Sequence, residues 1–251
     1  MGLADLHIHT LHSFDGTARV ADVLRRASAI GLDVIAITDH DVIEGALEAL
    51  ELAPRYGIEV IPGIEVSTAD GDLLAFDIQR APAPKRGLID TLLEVGEMGG
   101  FCVAAHPMAG GWTMKSLSAY AIRQACRHER AARVLIGIEA FNATALDRDS
   151  NTWANNLANR LGLAKTGSSD AHVLVAIGSG ATWFPGHTTA DLLVALRTAQ
   201  TEVRRHAEWS PLRTLGSWLA GYALSAPQRL SMRLRRTAGV GQVIPPQAAE
   251  A

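Results

Sequence analysis

The sequence predicts an α/β domain built on parallel strands, followed by a short helical extension. Three observations predict it. Short apolar runs alternate with helical patterns from the N-terminus to about residue 200. The helical stretches between strands run to roughly 10–15 residues, enough for right-handed crossovers and therefore parallel pairing. The chain has 251 residues, 48% hydrophobic and 20% charged, which suits one α/β barrel as readily as two smaller domains. A core of this size buries roughly three quarters of the unfolded surface and stands without metal or disulfide staples. Metal ligands in such a chain serve chemistry rather than folding.

The elements follow in order. Leu3–His9 reads as a strand, Val20–Ile30 as a helix and Val34–Thr38 as a strand. Val42–Tyr56 reads as a helix, and Ile58–Ile64 as a strand that continues through Leu73–Ile78. After the Pro-containing loop Ala81–Lys85, Leu88–Met98 is helical and Phe101–Ala105 is a buried strand. The alternation continues through Leu117–His128, Val134–Ala140, Ser150–Leu161 and Leu163–Gly167 to a closing helix at Thr189–Ala199. Gly31, Gly57, Gly100 and Gly162 each fall just after a helical pattern, where a left-handed residue ends the helix. Six or seven such units fit a barrel or a doubly wound sheet, and periodicity does not choose between them.

Within the extension, residues 207–251, the stretch Ser210–Arg236 differs in character from the rest. Leu215, Trp218, Leu219, Tyr222 and Ala223 recur at helical spacing, Pro227 interrupts, and Arg229, Arg233, Arg235 and Arg236 follow. This reads as a helix pair docked on the barrel or at a subunit contact; a basic segment lying on an anionic membrane is the less favoured reading. Gln242–Ala251 reads as a disordered tail. The N-terminal MGLADLHIHT has neither basic leader nor apolar signal core, and Thr214–Gln228 is too short to span a bilayer. Two cysteines, Cys102 and Cys126, exclude a disulfide scaffold and fit a reducing compartment. The expectation is a soluble, cytoplasmic protein. A net charge of −3 argues against a basic nucleic-acid-binding surface.

Functional residues in α/β folds of this kind gather where strands end. Those ends are rich in ligands here: His7-Ile8-His9, Thr38-Asp39-His40, Glu65, Ala105-His106-Pro107 and Asp170-Ala171-His172. On a strand, residues i and i+2 share a face, so His7 with His9, and Asp170 with His172, can hold one ion together. One His-x-His alone is weak, because chance supplies such pairs; the concentration of His and acids at successive strand ends is the stronger signal.

Taken together, Asp5-Leu-His-Ile-His-Thr-x-x-Ser-x-Asp15-Gly16, Ile37-Thr-Asp-His40-Asp, Pro62-Gly-Ile-Glu65-Val-Ser, Ala105-His106-Pro107 and Gly167-Ser-Ser-Asp170-Ala-His172 resemble the ordered motifs of the polymerase-and-histidinol-phosphatase (PHP) family. Glu139-Ala-Phe-Asn142 and Asn151 also resemble that pattern. The resemblance is closest to the stand-alone phosphoesterases and spans about residues 3–200. It implies a distorted seven-stranded (β/α) barrel over residues 1–206, the C-terminal helical extension following, and two or three divalent ions. Carried over, it places His7, His9, Glu65 and Asp170 on a first ion and Asp15, His40 and His172 on a second. Glu65 bridges to a third with His106. Relatives place a further His after the Glu, where this chain has Gly71-Asp72-Leu73-Leu74; Asp72 is the candidate replacement. With Glu65 bridging, eight side chains make nine bonds, which suits three ions at about three protein ligands each. Imidazoles and carboxylates without thiolate suit Mn²⁺, Zn²⁺ or Fe²⁺.

The remaining residues are read individually. Asp39 orients a ligand His without binding metal, and His12 is a candidate hydrogen-bond partner for a leaving-group oxygen. Lys115, Arg148 and His187 are candidate phosphate contacts. Cys102, Ser168 and Ser169 are structural, and His128 and His206 lie on the surface. The implied activity is hydrolysis of a phosphomonoester by a metal-bound hydroxide. The substrate would be a nucleotide, another small phosphate or the 5′ end of a short oligonucleotide. No stable nucleic-acid complex and no membrane association are expected, and no motif specifies an oligomeric state. Two other classes compete: an amidohydrolase-type C–N hydrolase with Lys165 as a modified bridge, and a catalytically silent metal-binding regulatory module.

Overall fold

The computed structural model describes residues 1–110, 114–145, 147–206 and 210–237, with backbone alone at residue 148 and residues 232–237. Among them the strands are β1 (Gly2–Asp5), β2 (Val34–Ile37), β3 (Glu59–Ser67), β4 (Asp72–Phe76), β5 (Phe101–Ala104), β6 (Leu135–Asn142), β7 (Ala164–Ser168), β8 (Ala181–Phe184) and β9 (Glu202–Arg204). The helices are α1 (Val20–Ala29), α2 (Glu44–Leu52), α3 (Leu88–Glu97), α4 (Ala119–Arg127), α5 (Glu129–Ala132), α6 (Arg148–Leu161), α7 (Thr189–Arg197), α8 (Pro211–Leu224) and α9 (Ala226–Thr237).

All nine strands form one sheet in the order β7-β6-β5-β4-β3-β2-β1-β8-β9. The sheet curls until the chain beyond β1 meets the chain beyond β7: Ile8 bridges Ala171 in parallel, and His9 N donates to Ala171 O at 2.9 Å. The first seven strands thus form the nearly closed barrel that the family resemblance implies, with β8 and β9 added outside the count. Closure is tight where β8 crosses β7. A Cβ on Gly167 would lie 2.5 Å from Ala181 O, and one on Gly180 2.2 Å from Ser168 O, so only glycine permits this approach.

Strand alternation builds two apolar layers. Ala4, Leu6, Val34, Ala36, Leu74, Phe76, Phe101 and Val103 form one buried cluster with Phe184 and with Leu192, Ala195 and Leu196 of α7. Their neighbours Ile35, Ile37, Leu73, Ala75, Cys102 and Ala104 join a second cluster with Val23, Leu24, Leu92, Ile122 and Leu157 of the surrounding helices. The first cluster fills the barrel and α7 plugs its lower end.

Three expectations need correction. The run Ile58–Ile78 is not one strand but the antiparallel hairpin β3–β4. The Thr68 hydroxyl organises its turn, receiving Asp70 N and Gly71 N, with Gly71 at φ +141°. Pairing is consequently not parallel throughout, because β3–β4, β4–β5, β1–β8 and β8–β9 are all antiparallel. Gly99 rather than Gly100 takes the left-handed conformation after α3. Gly100 is needed for space instead, since its Cβ would fall 2.5 Å from Phe76 O.

The C-terminal helix pair forms as expected, and of the helically spaced apolar residues Trp218 docks while Leu215 and Leu219 do not. Leu215 and Leu219 are exposed, while Trp218, Ser225 and Arg229 face the barrel and Gly221 approaches Thr17. The tail Gln242–Ala251 lies outside the described residues. No helix among the described residues is long and apolar enough to cross a membrane.

Candidate metal centre

Five strand ends converge on one point at the top of the barrel. β1 leads into His7 and His9, β2 into His40, β3 carries Glu65, β5 leads into His106 and β7 into Asp170 and His172. Although β1 ends at Asp5, the Ile8–Ala171 bridge preserves the alternation beyond it, and the His7 and His9 rings lie 5.0 Å apart. Their ligand atoms form three overlapping groups, each compact enough for one ion: His7, His9 and Asp170; His9, Asp15, His40 and His172; and His7, Glu65 and His106. All eight principal residues expected from the sequence are therefore brought together.

His106 Nε2 meets Glu65 Oε1 at 3.0 Å and His172 Nε2 meets Asp15 Oδ2 at 3.1 Å, whereas His7, His9 and Asp170 face shared space. His7 Nε2 lies 3.3 Å from Glu65 Oε2 and 3.4 Å from Asp170 Oδ1; His9 Nε2 lies 3.4 and 3.2 Å from the same two oxygens. Yet His7 Nε2, both His9 nitrogens, Glu65 Oε2 and Asp72 Oδ1 are buried with no aligned hydrogen bond. Buried polar atoms are ordinarily satisfied, so such a cluster of orphans fits bound cations. Asp72 lies outside the three groups, but its near-complete burial and its electrostatic coupling to Glu65, His106 and His40 put it at their edge.

The charges are strongly coupled. Burial alone would raise the Asp170 and Glu65 carboxyls, but the surrounding imidazoles outweigh it and hold both well below the usual range. Asp15 is likewise held low by His172 and His40 against its burial. Burial opposes protonation of His40 and His172, yet Glu65 and Asp15 push His40 up to about 10, and Asp15 and Asp170 push His172 up to about 9. His9 goes the other way, down to about 4, through burial and the neighbouring His172 and His40. Burial and the Glu65 charge raise Asp72 to about 6.

Ions must displace protons from His40 and His172, so binding of Mn²⁺ near pH 7 releases protons, and affinity falls as the pH is lowered. In the metal-free protein those raised values stabilise the fold fully below the unfolded value of 6.5, and that stability disappears as pH rises through about 9 and 10. Calorimetric melting in chelator should therefore show a lower Tm at pH 10 than at pH 7. An unchanged Tm would mean that the rings carry no extra protons.

A supporting shell holds the ligands. Glu139 Oε1 lies 3.1 Å from His7 Nδ1, and its Oε2 accepts from His106 N at 2.6 Å. The Asn142 amide donates to Glu139 Oε2 at 3.0 Å and to Asp170 Oδ2 at 3.1 Å, and the Thr144 hydroxyl also donates to Asp170 Oδ2. Asn151 exchanges two bonds with the Asn142 backbone. These contacts secure strained positions, since His106 and Asp170 adopt φ of +24° and +51°. The sequence marks Glu139, Asn142 and Asn151 only as part of a motif, without roles; the signal for the first two is a pair of polar residues in the last four positions of an otherwise apolar strand, and Asn151 on α6 carries none. Asp5, buried beneath the site and raised to about 6 by that burial, accepts from Ser169 N and Gly178 N and ties β1 to the β7 loop.

The other expected residues are distributed differently. Asp39 accepts from Thr10 N at 2.6 Å, the Thr10 hydroxyl at 2.7 Å and Ser13 N at 3.1 Å. It positions the loop after His9 rather than a ligand imidazole, because as a buried anion it collects the nearest donors. His12 lies outside the three groups, with Nε2 at 2.9 Å from Glu48 Oε2. Lys115 is exposed beside the centre, and its carbonyl receives Asp72 N at 2.6 Å. The Arg148 side chain lies outside the described residues. His187 is at the wrong end of the barrel, bonded to Met1 N at 2.6 Å and Asp33 Oδ1 at 2.7 Å. The reason is topological: β8 runs antiparallel to β1, so the chain leaving it emerges at the lower face.

A barrel closed around such a ligand set defines a class of metal-binding α/β proteins. The family model "PHP domain" matches residues 5–172, and "PHP-associated" matches residues 148–201. The chain belongs to the PHP-domain family. It is 30% identical over 167 residues to an uncharacterised protein of Methanocaldococcus jannaschii, covering 61% of this chain and 89% of that one. Shorter matches reach a phosphoribosyl 1,2-cyclic phosphate 1,2-diphosphodiesterase of Eggerthella lenta, 41% identical over 68 residues (27% of this chain, 26% of that one). A 3′,5′-nucleoside bisphosphate phosphatase of Chromobacterium violaceum is 41% identical over 71 residues (28% and 25%). Both shorter matches span only about a quarter of those enzymes' lengths. Among solved structures, a two-domain protein from Bacteroides vulgatus described as containing a predicted PHP-like metal-dependent phosphoesterase superposes with TM-score 0.64 at 22% identity, covering 87% of this chain and 69% of that one.

Proposed function

We propose that the protein is a metal-dependent phosphoesterase hydrolysing a small phosphomonoester, with a nucleotide as the leading substrate class. The observation that carries this reading is the three overlapping groups of imidazoles and carboxylates at the top of the barrel, among which His7 Nε2, both His9 nitrogens and Glu65 Oε2 are buried and unpaired. His7, His9, Glu65 and Asp170 would hold one ion; Asp15, His40 and His172, with His9 alongside, a second; Glu65 and His106, with Asp72, a third. Mn²⁺, Zn²⁺ or Fe²⁺ suits these donors. When bound, adjacent divalent ions polarise phosphoryl oxygens and acidify water, so no protein nucleophile is required. The chain's part is to fix the ligand geometry, and exposed Lys115, whose carbonyl receives Asp72 N, is our candidate for a phosphate contact. His12 can reach a leaving group only by turning from Glu48. We place catalysis in residues 1–206, with 207–251 as the extension, and the free Cys102 and Cys126 favour a reducing, cytoplasmic setting.

Phe14 favours the nucleotide class. It is 61% exposed and stacks on His40 with ring centroids 5.0 Å apart, presenting an aromatic face at the mouth of the site. Base–aromatic stacking contributes about 1–3 kcal/mol. Phe14→Ala is therefore expected to raise KM for a nucleotide about tenfold, leaving kcat and the KM for a sugar phosphate near the parent values.

The test is phosphate release by the Mn²⁺-loaded protein from nucleoside monophosphates, 3′,5′-bisphosphates, sugar phosphates and 5′-phosphorylated short RNAs. Release from one class identifies the substrate; silence across the panel with metal bound favours the regulatory reading. Asp72→His is expected to alter metal number or preference, measured by elemental analysis. Unchanged stoichiometry would place Asp72 outside the site.

A further inference from the structure

The helix pair α8–α9 follows the last residue matched by either family model, residue 201. Its contacts nevertheless end on the loop that carries a metal-ligand candidate. The Trp218 indole Nε1–H donates to the Asp15 carbonyl at 2.9 Å. Arg229, 94% buried by its 6% exposure, donates from Nη1 to the Gly16 carbonyl. Its Nη2 donates to Ser225 Oγ at 2.7 Å and to Tyr222 O at 3.1 Å. The guanidinium carbon sits 3.7 Å over the Tyr222 ring, and that ring packs 4.9 Å from Trp218.

The loop is gripped on its other side as well. Thr17 N and the Thr17 hydroxyl both donate to the His172 carbonyl, at 3.1 and 2.7 Å. A Cβ on Gly16 would lie 2.0 Å from Thr10 O, and one on Gly221 3.0 Å from Thr17 Cβ, so helix, loop and barrel are in close contact. Between these anchors the Asp15 carboxylate is held 3.1 Å from His172 Nε2 and 3.4 Å from His40 Nε2. Burying a guanidinium is costly unless carbonyls and an aromatic face receive it. A helix that needed only to cover the barrel would use an apolar side chain at this place. The expense is understandable if the cation fixes the two consecutive carbonyls around Asp15.

We infer that Trp218 and Arg229 are positioning residues for the metal centre: the α8–α9 pair clamps the Asp15–Gly16 backbone and thereby sets the affinity of the ion held by Asp15, His40 and His172. The inference rests on the metal-binding reading of the site. It makes the C-terminal extension part of the centre without supplying a ligand.

The test is calorimetric titration of the metal-free full chain with Mn²⁺, comparing wild type, Trp218→Phe, Arg229→Met, Arg229→Lys and the reference variant Asp15→Asn. Trp218→Phe keeps the ring and deletes only the donor. Loss of a group that orients a ligand typically weakens metal about 10–100-fold. Trp218→Phe and Arg229→Met are expected to weaken by about tenfold the same equivalent that Asp15→Asn removes. The other equivalents should be unchanged, and Arg229→Lys should recover part of the loss. If Arg229→Met fails to fold by circular dichroism, Trp218→Phe carries the comparison. Wild-type affinity for every equivalent in folded Trp218→Phe overturns the clamp while leaving the metal reading intact. A wild-type protein that binds no Mn²⁺ overturns both.

Discussion

Asp170→Ala is expected to lower kcat/KM for phosphoester hydrolysis by at least ~10³-fold while leaving the barrel folded. The magnitude follows from losing an ion whose stabilisation of the transition state amounts to several kcal/mol, at about 1.4 kcal/mol per decade of rate. Asp170 Oδ1 faces both His7 Nε2 and His9 Nε2, so its removal dismantles the group those three residues form. The fold should survive because the two apolar clusters extend through all the barrel strands and are independent of the centre. His9→Ala should behave alike, since His9 belongs to two of the three groups. Retained circular dichroism with lost hydrolysis is the expected pair of results. Loss of the fold itself would show that the ions are structural. Because Asp170 lies at φ +51°, Asp170→Asn serves as the companion that keeps local backbone preference while removing charge.

Glu139→Gln is expected to have the next largest effect, a 10–100-fold loss of metal affinity that excess Mn²⁺ restores. Its carboxylate meets His7 Nδ1 and receives His106 N and the Asn142 amide, so one oxygen pair orders two ligands and their neighbour. A glutamine keeps one oxygen and puts a second donor against those groups, leaving a buried group unsatisfied. Titration of activity against Mn²⁺ separates the cases: Glu139→Gln should shift the midpoint and recover the plateau, whereas Asp170→Ala should stay inactive at every concentration. An unshifted midpoint for Glu139→Gln would show that the His7 ring is held without it.

The centre was legible in the sequence because its ligands fall at strand ends and strand ends are marked by apolar runs. His7, His9, His40, Glu65, His106 and Asp170 stand in such places, so sequence order already arranges them around one rim. His187 misled for the complementary reason. It also follows an apolar run, but β8 is reversed relative to β1, and no local pattern in Ala181–Phe184 records strand direction. The β3–β4 hairpin was hidden likewise, since Thr68–Gly71 is a short interruption in one long apolar stretch. Trp218 and Arg229 lie more than 200 residues from the backbone they grip. Helical spacing marks Trp218 together with Leu215 and Leu219, which remain exposed, but a contact of that range leaves no local trace of which carbonyl the indole meets.

On the proposed reading, the imidazole–carboxylate cluster makes this chain a metal-dependent phosphoesterase. The most direct measurement is phosphate release by metal-stripped protein as Mn²⁺ is added back in known equivalents, with Asp170→Ala in parallel. No release is expected without metal, then a rise that tracks two or three bound equivalents, and none from the variant. Release from the stripped protein, or full metal occupancy with no phosphoester hydrolysed, would contradict that reading.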